Sequence, residues 1–191
     1  PDASLSPTWF EPVTDTTTTK RLDGDESTQV LLPLITLAHA PNARRGAVIG
    51  NGSGMSSHLL LANPKLEKLV TIDIEPEMIN GSRTFYPVNR RVFDDPRSQF
   101  VHDDAKSYFA AANRKFDLIL SEPSNPWVSG VSGLFTDEFY QRVRSYLTKD
   151  GVFGQWLHLY EIDDSLVLSV IKALHRNFAS YDVYLTADVD I

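Results

Sequence analysis

Glycines and carboxylates in this chain fall at the ends of apolar runs, where a nucleotide-like ligand would be held. Gly50-Asn51-Gly52-Ser53-Gly54 follows Ala47-Val48-Ile49, and Asp73 follows the run 69–72, with Glu75 close behind. Asp103-Asp104 follows Phe100-Val101, and Glu122 and Asn125 sit in the stretch SEPSNPW after the run 116–120. Glycines allow a tight strand-to-helix turn and close approach of a ligand to the backbone, so Gly50, Gly52 and Gly54 are candidate ligand-binding positions. An acid about 20 residues beyond such a loop accepts hydrogen bonds from ribose hydroxyls, which is the role open to Asp73. Asp104 can accept from the exocyclic amine of an adenine or cap the following helix, and the two roles are compatible. Glu122 and Asn125 stand where the reactive end of the ligand would lie.

Each of these readings has a plainer competitor. The loop can be a glycine-rich turn without a ligand, and Asp73 a helix N-terminal acid, although that role suits Glu75 and Glu77 better. SEPSNPW can be a proline-stiffened connection that packs Trp127. Other chemistries lack their residues. The spacing G-x-G-x-G departs from the dinucleotide pattern G-x-G-x-x-G, no phosphate-cradling G-x-x-x-x-G-K-[ST] occurs, and no G-x-S-x-G elbow supplies a serine nucleophile. His39, His58, His102, His158 and His175 are scattered, with no paired spacing for a metal, and none is expected.

The elements that must position these residues follow from periodicity. Apolar spacing predicts a first helix over 27–40, with Pro33 near its first turn or starting it. Strands are predicted at 47–49, 69–72, 100–101, 116–120, 151–159 and 181–185. Helices are predicted at 55–62, 77–85, 105–112, 136–147 and 164–177. This alternation implies an α/β fold, a mostly parallel doubly wound sheet covered by helices on both faces. In such a sheet ligands bind beyond the carboxyl ends of the strands, at the point where strand order reverses. Residues 1–25, rich in Thr, Pro and Asp, form a separate short segment before a domain over 26–191. Thr16-Thr17-Thr18-Thr19 in that segment is a short strand or a loop.

Composition narrows the function classes. The 191 residues are 42% hydrophobic and 23% charged, the balance of an ordinary globular domain. A net charge of −7 argues against a nucleic-acid partner and suits a cationic substrate such as an amine. The absence of cysteine excludes disulfides and thiolate metal sites. No apolar run is long enough to span a bilayer and no signal peptide is visible, so a cytoplasmic location is expected.

Five stretches together, AVIGNGSGMSSHLLL, LVTIDIEPEMI, FVHDDAKSYF, FDLILSEPSNPW and LFTDEFYQRVRSYLTKDGVF, resemble the spermidine synthase-like branch of the class I S-adenosylmethionine-dependent transferases. They occur in the family's order across the central half of the chain. The resemblance implies a Rossmann-like methyltransferase fold in which the glycine loop holds the methionine-derived part of a thio-adenosyl ligand. That ligand is S-adenosylmethionine or its decarboxylated form, a co-substrate of polyamine biosynthesis. The resemblance also implies that Asp73 binds ribose, that Asp104 reads adenine, and that Glu122 helps bind an amine substrate, with Gln29 near the edge of the site.

Departures from the family pattern accompany the match. The family carries a second Asp in the loop after the fourth strand, as a proton acceptor, and Asn125 stands there; an amide is no general base near neutral pH. The family's amino-terminal β-domain, which closes over the polyamine and assists contacts in a homodimer, has at most one hairpin's length here, in 8–22, and its Tyr-His pair is missing. SEPSNPW with GQWLHLY is similar to the version found in bacterial proteins where this domain follows a transporter-like membrane segment, so a fragment or reduced member is expected. The reading is therefore a transferase moving a group from a thio-adenosyl donor to an amine. Its alternatives are an S-adenosylmethionine-dependent small-molecule methyltransferase and a binding module that has lost its chemistry. Asp163 and Asp164 can line an amine site with Glu161, although capping the last helix is the reading preferred for the aspartates.

Overall fold

A computed structural model describes residues 24–112, 114–123, 130–159 and 162–186. Among these residues five strands form one sheet: β1 (Arg45–Ile49), β2 (Lys68–Asp73), β3 (Ser98–His102), β4 (Phe116–Ser121) and β5 (Leu147–Gln155). Their order is β3-β2-β1-β4-β5 and every pairing is parallel. The chain leaves β1 toward β2 on one side and later returns to β4 on the other. The carboxyl ends of β1 and β4 therefore flank the switch point.

The strands are apolar on both sides because both sheet faces are covered. Ala47, Val48, Leu69, Val70, Leu118, Ile119 and Leu120 are each at most 1% exposed. On one face, α1 (Gly24–His39) and α2 (Met55–Leu60) pack Leu32, Leu37, Leu60 and Leu61 against Val48 and Leu120. On the other face lie α5 (Ala105–Ala111), α6 (Asp137–Tyr146) and α7 (Asp164–Asn177), which contribute Phe109, Phe139, Tyr140 and Val170. The turns use local chemistry. Glu75 caps α3 (Pro76–Ser82), Asp104 caps α5, Thr136 caps α6 and Asp163 caps α7, each side chain accepting from a backbone N–H of the first turn.

Several boundaries differ from the periodicity reading. Pro33 lies well inside α1, which starts at Gly24. Lacking an N–H, it leaves the Gln29 carbonyl one turn earlier without its helical donor, and the Ser56 hydroxyl of α2 donates to that oxygen at 3.3 Å. Tertiary packing thus absorbs the defect. The stretch 83–85 tightens into a 3-10 turn, Arg83–Phe85, and a short α4, Arg91–Asp94, was not predicted. β5 starts at Leu147, directly after α6, because an irregularity in its pairing with β4 accommodates residues that otherwise read as a turn. Residues 181–185 form no strand. Tyr184 Oη instead meets His39 Nε2 of α1 at 2.8 Å, so side-chain contacts to a helix replace main-chain pairing.

Candidate functional site

A cavity of about 680 Å³ opens at the carboxyl edge of the sheet, beside the switch point. It gathers residues far apart in sequence: Gln29 of α1, the loop after β1, Asp73 at the end of β2, Asp104 after β3 and Glu122 after β4. Gly50 and Gly52 line it; Gly54, also in the loop, is not among its lining residues and packs against Asn89 and Val92.

The glycine loop has a conformation that side chains resist. Gly50, Gly52 and Gly54 have φ of 91°, 48° and 81°, in the left-handed region. Gly50 is also crowded, since a Cβ there would stand 2.6 Å from the Glu122 carbonyl oxygen. The loop is tied to the strands on either side. Gly50 N donates to Ile72 O at 2.9 Å, and Glu122 N donates to Ile49 O at 2.9 Å. From behind, the fully buried Asn89 donates through Nδ2 to Ser53 O and Ser82 O, both at 2.7 Å.

Asp73 organises this edge before any ligand arrives. Its Oδ2 accepts from Asn51 N at 2.8 Å and its Oδ1 from Glu75 N at 2.9 Å. Each carboxylate oxygen keeps a lone pair for a further donor. Asp104 is both cap and cavity wall: Oδ1 accepts from Ser107 N at 2.9 Å while the residue lines the cavity. Ile74 and Met78 supply an apolar wall nearby, and Val131 and Leu134 another.

Glu122 is the chemically distinctive group. Burial pushes its carboxyl up to about 7, and a hydrogen bond from the Ser56 hydroxyl pulls the other way. A carboxyl with that value exchanges protons near neutral pH, as general acid–base work requires. Asn125, Trp127 and Glu161 lie outside the described residues. Asp163 serves as the cap of α7, with Oδ1 accepting from Ser165 N at 2.8 Å.

Gln29, expected at the edge, lines the cavity itself, and its Oε1 accepts from Ser53 Oγ at 2.5 Å. Three contributors were not found by sequence reasoning. Trp156, just past β5, lines the cavity beside Glu122, with its backbone N–H on Ser121 O at 3.0 Å. Lys106 is the only cation among the described lining residues. Its place two residues after a strand-end acid was a signal available in the sequence. Asn89 left no such signal, because its role depends on two carbonyls brought together by the fold. Arg44 and Arg45 lie at the opposite edge, where their backbone N–H groups donate to Asp117 Oδ2. Among the described residues, no group of three or more His, Asp or Glu is placed to hold a metal, and no helix is long and apolar enough to cross a membrane.

Comparison with known proteins agrees with this arrangement. Residues 28–187 match the family described as spermine/spermidine synthase domain. A polyamine aminopropyltransferase of Caldicellulosiruptor bescii is 30% identical over 155 residues, covering 81% of this chain and 55% of that protein. One from Pyrobaculum arsenaticum is 30% identical over 154 residues, covering 76% of this chain and 53% of its own length. The chain thus spans about half the length of these curated relatives. A spermidine synthase solved in complex with the transition-state analogue AdoDATO superposes with a TM-score of 0.77 at 25% identity, covering 84% of this chain and 55% of that one. Human methyltransferase-like protein 13, solved with SAH, shares the fold at a TM-score of 0.62 and 21% identity, covering 84% of this chain and 74% of that one.

Proposed function

The chain belongs to the family of spermine/spermidine synthase domains, and from that premise we propose that it binds a thio-adenosyl sulfonium donor and transfers an alkyl group from it to an amine. The observation that carries this reading is the convergence of the glycine loop, Asp73, Asp104 and a proton-exchanging Glu122 around one cavity at the switch point. Asp73 receives the ribose hydroxyls on its remaining lone pairs, and Asp104 takes the adenine amine between the apolar walls. The sulfonium and its alkyl groups then extend toward the loop and Glu122.

In the transfer step the neutral amine nitrogen attacks the carbon next to sulfur. A C–N bond forms, the C–S bond breaks, and its electron pair stays on sulfur, which loses its positive charge. The new ammonium sheds a proton to Glu122. Such a base supplies roughly 10²–10⁴-fold in rate. The acidic chain, at −7, favours approach of a cationic acceptor. The relatives named polyamine aminopropyltransferase, and the synthase bound to AdoDATO, support an amine acceptor and, by analogy, a decarboxylated donor.

The test is product detection by mass spectrometry. The purified chain is incubated with S-adenosylmethionine or its decarboxylated form and a panel of di- and polyamines, alongside Glu122→Gln and Asn125→Asp. Alkylated amine from the parent chain, lost in Glu122→Gln, is the expected outcome. Product from Asn125→Asp alone would assign the parent to nucleoside binding without turnover. No product from either chain, without methylthioadenosine binding, would end the reading.

A further inference from the structure

One hydroxyl touches both the reactive carboxyl and a defect in the first helix. Ser56, the second residue of α2, is 3% exposed, and its Oγ donates to the Gln29 carbonyl oxygen at 3.3 Å. The same hydroxyl bonds the Glu122 carboxyl. The Gln29 oxygen is open to it because Pro33, four residues on in α1, has no N–H to offer. Glu122 in turn is fixed through its main chain, with its N–H on Ile49 O at 2.9 Å. Three segments distant in sequence, α1, α2 and the end of β4, thus meet at one oxygen atom.

A serine hydroxyl carries one proton and two acceptor lone pairs, and it rotates to suit its neighbours. Facing an ionised Glu122, it donates to the carboxylate. Facing a protonated Glu122, it accepts from the carboxyl O–H, provided that its own proton has another oxygen to go to. The Gln29 carbonyl is that oxygen. Both protonation states of Glu122 therefore leave the buried hydroxyl with a partner for its proton, which avoids the cost of an unmatched buried donor. Other charges do not account for this carboxyl. Asp73, Glu75, Asp103, Asp104 and Lys106 are the other charged residues of the described lining, yet burial and the Ser56 hydroxyl are what shift Glu122, in opposite directions. His58 of α2 meets Arg91 Nη1 instead, at 2.7 Å from its Nε2.

We propose that Ser56 is a positioning residue for the proton on Glu122, its hydroxyl turning from the carboxylate to the carbonyl that Pro33 leaves open as the proton arrives. Its part in catalysis rests on the alkyl-transfer reading above: the amine gives its proton to Glu122, no covalent bond at Ser56 forms or breaks, and only the O–H rotates. Pro33 thereby acts on Glu122 through Gln29 and Ser56.

Carbon-13 NMR titration of the chain labelled in its glutamate carboxyls tests this, with the Glu122 signal assigned by its loss in Glu122→Gln. The parent midpoint is expected at about 7. Ser56→Ala removes the donor to the carboxylate and should raise the midpoint by about one pH unit, the scale of one hydrogen bond to a charged group. Pro33→Ala supplies an N–H to the Gln29 carbonyl, leaves the hydroxyl to the carboxylate and should lower the midpoint. In the double variant Pro33→Ala should add nothing to Ser56→Ala, because its effect runs through the hydroxyl. A Ser56→Ala midpoint at or below the parent's, a Pro33→Ala midpoint at or above it, or a Pro33→Ala shift that persists in the double variant would overturn the proposal. The titration uses neither donor nor amine, so it stands apart from the product assay. A chain that moves no alkyl group loses the proposed function, whereas these shifts still decide whether Ser56 governs the proton.

Discussion

Gly50 and Glu122 are in backbone contact across the switch point: a Cβ on Gly50 would come within 2.6 Å of the Glu122 carbonyl oxygen. The loop proposed to hold the donor and the residue proposed to handle the proton are therefore set by one packing relationship between β1 and β4. Their separation cannot relax by side-chain motion, since both partners are main chain at the ends of paired strands.

Gly50→Ala should cost more than about 2 kcal/mol of stability, because it combines a φ of 91° with that clash. Denaturant unfolding measures the loss. Methylthioadenosine binding should fall in the same variant even at temperatures where it remains folded, since the contact also sets the cavity floor. An alanine variant with parental stability would show that the two strand ends separate freely.

Glu122→Gln should change how stability depends on pH. The folded carboxyl is raised from 4.5 to about 7, so burial favours its protonated form. The parent is thus most stable below about pH 4.5 with respect to this group, and loses stability as pH rises to about 7, where the folded form ionises too. Glutamine removes that loss, so the variant should gain up to about 3 kcal/mol over the parent at pH 8 relative to their difference at pH 4. Thermal unfolding of both chains across this range is the measurement. Parallel curves would mean that Glu122 titrates as an ordinary exposed acid.

Asp73→Asn tests whether the charge or only the shape is used. Asparagine offers one acceptor oxygen to Asn51 N or Glu75 N but not to both, so the loop loses one of two backbone anchors. Methylthioadenosine affinity should drop by about tenfold or more, the scale of a lost hydrogen bond to a carboxylate. Unchanged affinity by calorimetry would take Asp73 out of the ligand site and leave it a structural residue.

Asn89→Ala leaves the Ser53 and Ser82 carbonyls without their shared donor and should destabilise the chain by about 1–3 kcal/mol. Asn89→Asp should be worse, because a carboxylate placed between two carbonyl oxygens can only repel them. Unfolding midpoints of the two variants order them, and equal stability would place the loop's support elsewhere.

What the sequence alone determined is the part written in local chemistry. Apolar runs ending in Gly50, Asp73, Asp104 and Glu122 follow from strands buried on both faces whose polar residues can appear only at the ends, and that pattern is legible without coordinates. Asp104 and Asp163 as caps are equally local, since a cap and its donors lie within one turn. Tertiary structure decided what depends on residues distant in the chain. Pro33 sits inside α1 because Ser56 of α2 answers the carbonyl it strands. Residues 181–185 leave the sheet while Tyr184 meets His39 on α1. Gln29 becomes a cavity residue because Ser53, on the far side of a strand, takes its oxygen. The raised carboxyl of Glu122 belongs to this second kind as well, because desolvation is the work of all the elements around a group and is encoded in no single stretch of sequence.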